Sequence, residues 1–116
     1  MRLLAAFLVV ALFSDGANAQ KQSALQGWGT VTCAAFANMY RDNPKFVEDH
    51  LFDWAQGMMS GLNFASASVM RDLGSKSSET QQSALRAFCD QHPLANYFEA
   101  VTNLYLSMSI ITPPAK

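Results

Sequence analysis

The feature that most constrains this chain is its pair of cysteines, Cys33 and Cys89, with no third thiol to compete. Whether they join depends on the compartment, and residues 1–19 bear on that. MRLLAAFLVVALFSDGANA has one basic residue, Arg2, an apolar run from Leu3 to Phe13, and the small-x-small triplet Ala17-Asn18-Ala19. This is the pattern of a signal peptide cleaved after Ala19. The apolar run is too short to span a bilayer, and no cysteine follows the cut to take a lipid. Export across a bacterial inner membrane to the periplasm is the expectation. In an oxidising compartment two lone cysteines most simply form one disulfide. Closing so long a loop corresponds to about 4 kcal/mol in the chain-entropy account. Zinc is the alternative, with Cys89 and His92 at ligand-like spacing and Cys33 and His50 as further donors, although structural zinc sites favour tighter pairs.

Helical periodicity organises the chain beyond the leader. Residues 20–29 are polar and glycine-containing, and read as a flexible arm carrying Trp28. Thr30 or Thr32 caps a first helix running through Tyr40, with Val31, Ala34, Ala35, Phe36 and Met39 on its apolar side. Asn43 and Pro44 are a good N-cap and first helical residue for a long second helix. Val47, Leu51, Trp54, Met58, Leu62 and Ala65 recur along it at the spacing of one apolar face. RDLGSKSS breaks that pattern. Ser78 and Gln81 then fit a capping box opening a third helix to about Gln91, with Leu85, Phe88 and Cys89 inward. His92-Pro93 precedes a fourth helix whose face is Leu94, Tyr97, Phe98, Val101, Leu104, Tyr105 and Met108. No strand alternation or internal repeat appears. The expected fold is an all-α small single domain of about four helices over residues 30–109, stapled by one disulfide and followed by a disordered tail at 110–116.

Between Asp53 and Arg71 the chain carries no charge: WAQGMMSGLNFASASVM. Gln56, Ser60, Asn63 and Ser66 form a polar stripe there at helical spacing, which excludes a lipid-facing span. Gly57 and Gly61 lie one turn apart and each costs roughly 1 kcal/mol in a helix interior. That cost suggests close approach of another helix, from the same chain or from a second copy. Flexible methionines beside them suit either core or an adaptable apolar surface.

No chemical signature emerges. The chain lacks a nucleophile elbow, a zinc-protease helix and a phosphate loop. His50 and His92 are its 2 imidazoles, neither beside a free nucleophile. Asp49 and Asp53 stand at i, i+4, as a solvated acidic helix start does. The expectation is a protein that is not an enzyme and holds no cofactor and no metal. Without Arg2 and Asp15, seven basic and eight acidic residues remain of the 8 and 9 in the chain. Such balance, with no basic cluster, argues against nucleic acid or anionic lipid as partner.

TCAAF with Cys33 and Phe36, a helix bearing Trp54, and LRAFCDQHPLANYFEAV with Cys89 near Pro93 together resemble the HdeA/HdeB family, the HdeB branch in particular. These are small, helical, one-disulfide periplasmic acid-stress chaperones. The resemblance spans roughly residues 32–104. It implies the Cys33–Cys89 disulfide, with Phe36, Trp54 and Phe88 as core. Two features depart from the family: the segment from Gln56 to Gly61, and lysine-poor ends.

The resemblance also implies a mechanism. A homodimer at neutral pH would separate and loosen as carboxylates protonate below about pH 3. The formal charge would swing from −1 to about +9 on reference pKa values. The expected pH-responsive group is Asp42, Glu48, Asp49 and Asp53, near the head of the long helix, where negative charge favours the helix start. The expected client or dimer surface is Trp54, Gly57, Met58, Met59, Gly61, Leu62 and Phe64, taking up acid-unfolded periplasmic proteins. The competing expectation is a partner-specific periplasmic binding protein, because WAQGMMSG also resembles a segment of Tai-type immunity proteins.

Overall fold

The computed structural model describes residues 23–66 and 69–112. The leader, the first residues of the arm and the last of the tail lie outside these. The described chain is all-α: four helices, one disulfide, and no β-sheet among the described residues. A short 3-10 turn, Gly27–Thr30, leads into α1, Cys33–Asp42. The Thr32 side chain accepts from the Ala35 N–H, so the second of the two candidate threonines is the cap. Asn43 then ends α1 and starts the long helix, its side chain accepting from the Phe46 N–H with Pro44 in the first turn. The long helix is continuous in three pieces: α2, Pro44–Phe46; a π-helical stretch, Val47–Phe52; and α3, Asp53–Ala65. Nothing in the local sequence announces the π stretch.

The third helix, α4, spans Ser78–Gln91, and its cap is Ser77 rather than Ser78. Ser77 Oγ accepts from the Thr80 N–H. Gln81 does not complete a capping box: it is buried, and its amide donates to the Leu73 and Lys76 carbonyls, pinning the preceding loop. The last helix, α5, covers Tyr97–Leu106 and is capped by Asn96. It therefore begins later than Pro93 suggested. The carbonyls of Pro93 and Ala95 accept instead from the Ala34 and Cys33 N–H groups at the start of α1. Those N–H groups have no intrahelical partner, so the 93–95 segment serves the other helix. Leu94, expected inward, is 97% exposed as a result.

One core binds the four helices. Phe36 of α1, Val47, Leu51, Ala55 and Met59 of the long helix, Leu85 of α4, and Tyr97, Val101 and Leu104 of α5 are all buried in it. Phe36 stacks on Tyr97, ring centroids 4.9 Å apart, and the Tyr97 hydroxyl donates to the Leu51 carbonyl at 3.0 Å. The disulfide joins the first residue of α1 to the end of α4, both cysteines fully buried. The arm expected over residues 20–29 needs correction from Gly27 onward. Trp28 meets Phe46 edge-on at 5.6 Å, and Gly29 is buried against the Trp54 indole. Gly27 has φ +73°, a conformation glycine adopts without strain. This turn is part of the domain.

Candidate functional site

The long helix carries all seven residues expected to form a surface, and it divides them among three environments. Met59 is core, 1% exposed. Trp54, Met58 and Leu62 are half-buried and pack against that core. Trp54 is roofed by the Gly27–Thr30 turn, so in the folded protein its indole is not offered outward. Gly57, Gly61 and Phe64 are exposed. The seven residues thus do not make one face.

The glycines settle one question. A Cβ built on Gly57 or Gly61 would meet nothing within 4 Å. Close packing inside the chain, one of the readings of this pair, is not found among the described residues: no helix there approaches them. Within the polar stripe, Gln56 is exposed and Ser60 bonds the Gln56 carbonyl, but Asn63 turns inward to a structural task. Its amide donates to the Arg71 carbonyl and its oxygen accepts from the Arg71 N–H, both at 2.8 Å. The Tyr105 hydroxyl donates to the same oxygen at 2.8 Å. Arg71 in turn donates to the carbonyls of Leu106 and Met108, satisfying groups left open at the end of α5. Its guanidinium lies 5.5 Å from the centre of the Tyr105 ring.

This clasp fixes a pairing that periodicity did not reveal. Arg71 pairs antiparallel with Ile110, and the Ile111 N–H donates to Met70. The two extended segments hold Val69, Met70, Ile110 and Ile111 at the surface, beside exposed Leu106. Phe64, next to Asn63 in the chain, is 92% exposed. The pairing of the two segments brings Val69, Met70, Ile110 and Ile111 to one place. Part of it lies in residues 110 and 111, expected to belong to the tail. The sequence signal was Arg71 itself, a lone cation closing a neutral stretch and needing acceptors.

The acidic residues are not all where the dipole argument needs them. Asp42 is the last residue of α1, and Asp53 lies more than two turns beyond Pro44 in the continuous helix. The helix-end effect fades within one turn. Glu48 and Asp49 sit past the first turn too. Asp49 instead pairs with Lys45 at 2.8 Å, and this bond, before the charge attraction, raises the Lys45 pKa. Loss of helix-start stabilisation is therefore a poor trigger for acid loosening. His50 lies against Phe46 and His92 against Phe88, both exposed. With both thiols in the disulfide, the alternative zinc set lacks its sulfur donors. No helix among the described residues is long and apolar enough to cross a membrane.

Comparison of the chain with protein-family models, curated proteins and solved structures returns no match.

Proposed function

We propose that this is an exported, non-enzymatic binding protein of the acid-stress chaperone kind, a homodimer at neutral pH that takes up unfolding periplasmic proteins as it loosens in acid. The observation supporting this reading is the unequal attachment of the helices. The disulfide ties α1 to α4, whereas the long helix is held by apolar packing and a few hydrogen bonds. Its inner face, Val47, Leu51, Ala55 and Met59, becomes apolar surface if it lifts, and the staple keeps the remainder from dispersing. The drive in acid is the global charge swing, since self-repulsion of a highly charged chain opposes compactness. The exposed group Phe64, Val69, Met70, Leu106, Ile110 and Ile111 would extend the same surface.

The test is light scattering from an aggregation-prone client shifted to pH 3 and returned to neutral, with and without oxidised protein. Suppression at pH 3 that disappears on reduction is the expected result, together with dye binding and a fall in molecular mass. A dimer unchanged at pH 3, or no suppression by oxidised, folded protein, defeats the reading.

A second reading is favoured by one observation: the Phe64 and Ile110 region is exposed while the protein is folded. A partner-specific binder of the immunity-protein type needs no acid step. It would bind one protein at neutral pH and lose that binding on Phe64→Ser.

A further inference from the structure

A groove of about 440 Å³ lies between α1 and α4, on a side of the protein that neither reading uses. Ala37, Ala87 and the Tyr40 ring give it an apolar lining above the buried Phe36, and Arg41, Ser83, Arg86 and Asp90 give it polarity. Its size falls in the range of small-ligand sites.

The two arginines are its unusual feature. Neither is paired with a carboxylate: the one ion pair among the described residues is Lys45–Asp49. Arg86 donates to two neutral hydroxyls, Tyr40 at 2.6 Å and Ser83 at 3.3 Å, and its Nε–H is buried without a partner. Its guanidinium sits 4.4 Å from the centre of the Tyr40 ring, which fixes the plane of the fork. Arg41 is held by the Asn38 side chain at 2.6 Å. Nε is closed off from the groove, so an anion there would meet the outer guanidinium nitrogens, and a partly desolvated charge gains most from an opposite charge with matching geometry.

We propose that this groove binds a monoanionic carboxylate attached to an apolar or aromatic group. Arg86 and Arg41 take the carboxylate, and the Tyr40 ring and the alanine lining take the apolar body. Asp90 is the group that opposes an anion here, and it favours a single charge held at the arginine end over a phosphate dianion. Two sources share this chemistry: the free C-terminus of a peptide ending in an apolar residue, and a small aromatic acid. The site is independent of the acid-loosening reading.

Calorimetry at neutral pH on the full oxidised chain tests it. The probes are N-acetylphenylalanine, its amide, and a pentapeptide ending in phenylalanine with a free carboxylate. The acid is expected to bind about tenfold or more tighter than the amide, the scale of charge-assisted hydrogen bonds. Arg41→Gln, at an exposed residue that leaves the core untouched, should weaken binding several-fold, and Asp90→Asn should tighten it. Arg86→Lys keeps the charge and removes the fork; it should weaken binding while the melting curve shows the fold intact. A pentapeptide tighter than N-acetylphenylalanine identifies the peptide terminus as the source, and equal affinities identify small acids. Equal binding of acid and amide, no binding of either acid, or indifference to both Arg41→Gln and Asp90→Asn overturns the proposal.

Discussion

The pair α1 and α4 and the pair α3 and α5 share one core but are joined by different physics. The first pair is cross-linked where α1 begins and α4 ends. Three backbone bonds reinforce that end, from Cys33 to Ala95, Ala34 to Pro93 and Tyr97 to Val31. The second pair shares the core through Met59, Ala55, Val101 and Leu104, sets Trp54 against Tyr97, and is joined by the Asn63 clasp with Tyr105 and Arg71 at one end. The difference teaches where this molecule can open. A small domain buries a limited share of its surface, so a covalent tie in one half leaves the other half as the place where stability is lowest.

Removing the staple is the severest way to break the contrast. Replacing Cys33 and Cys89 together by alanine should cost about 4 kcal/mol, read as a lower midpoint in denaturant unfolding. Reductant should produce the same shift in the unaltered protein and none in the variant. Next is Met59→Ala, which empties a buried site in the unstapled half and should cost about 3 kcal/mol. Hydrogen exchange sharpens the result. Amides of residues 53–65 should speed up more than those of α1 and α4 while the disulfide stays intact. Equal acceleration everywhere would mean that the domain opens as one unit and the two halves are not distinct.

How much of this was legible in advance tracks the range of the interactions. The Asn43-Pro44 helix start and the apolar face through Val47 and Leu51 depend on neighbours within a turn or two, and the residues state them. The boundaries that moved did so through distant partners. Pro93 looked like a helix start until the first N–H groups of α1 took its carbonyl and that of Ala95. Gln81 looked like a capping residue, but its amide serves the loop carbonyls of Leu73 and Lys76. Trp28 looked free because Phe46, its partner, belongs to another element. The surface residues were the least legible. Helical spacing puts Trp54 on the apolar face and Phe64 about 80° around from it, but it does not say what folds over either. The Gly27–Thr30 turn covers the first, and no described residue covers the second.

A smaller effect separates the halves by pH. Burial pushes the Tyr97 phenol above its ordinary value near 10. Above about pH 10 the unfolded chain releases this proton while the folded chain keeps it, so stability falls as pH rises. Tyr97→Phe should cost about 1 kcal/mol at neutral pH through loss of the bond to Leu51, and should flatten the alkaline slope. Stability measured from pH 8 to 11 checks both. A slope unchanged in the variant would place the alkaline sensitivity elsewhere.

The smallest expected effect asks whether the unstapled half has a partner. Gly57 and Gly61 face open space, and alanine is preferred over glycine in a helix interior by up to about 1 kcal/mol. In an isolated chain, Gly57→Ala and Gly61→Ala should each raise stability by that order, because the new methyl meets nothing and the unfolded state loses freedom. If a second copy lies close against this face at neutral pH, the same methyl groups hold the two helices apart. The variant would then melt higher as a monomer yet dissociate at higher protein concentration than the parent. Sedimentation and thermal melting on one set of samples separate these outcomes. Stabilisation with unchanged association places any dimer contact away from α3, and stabilisation with weakened association puts it on the glycines.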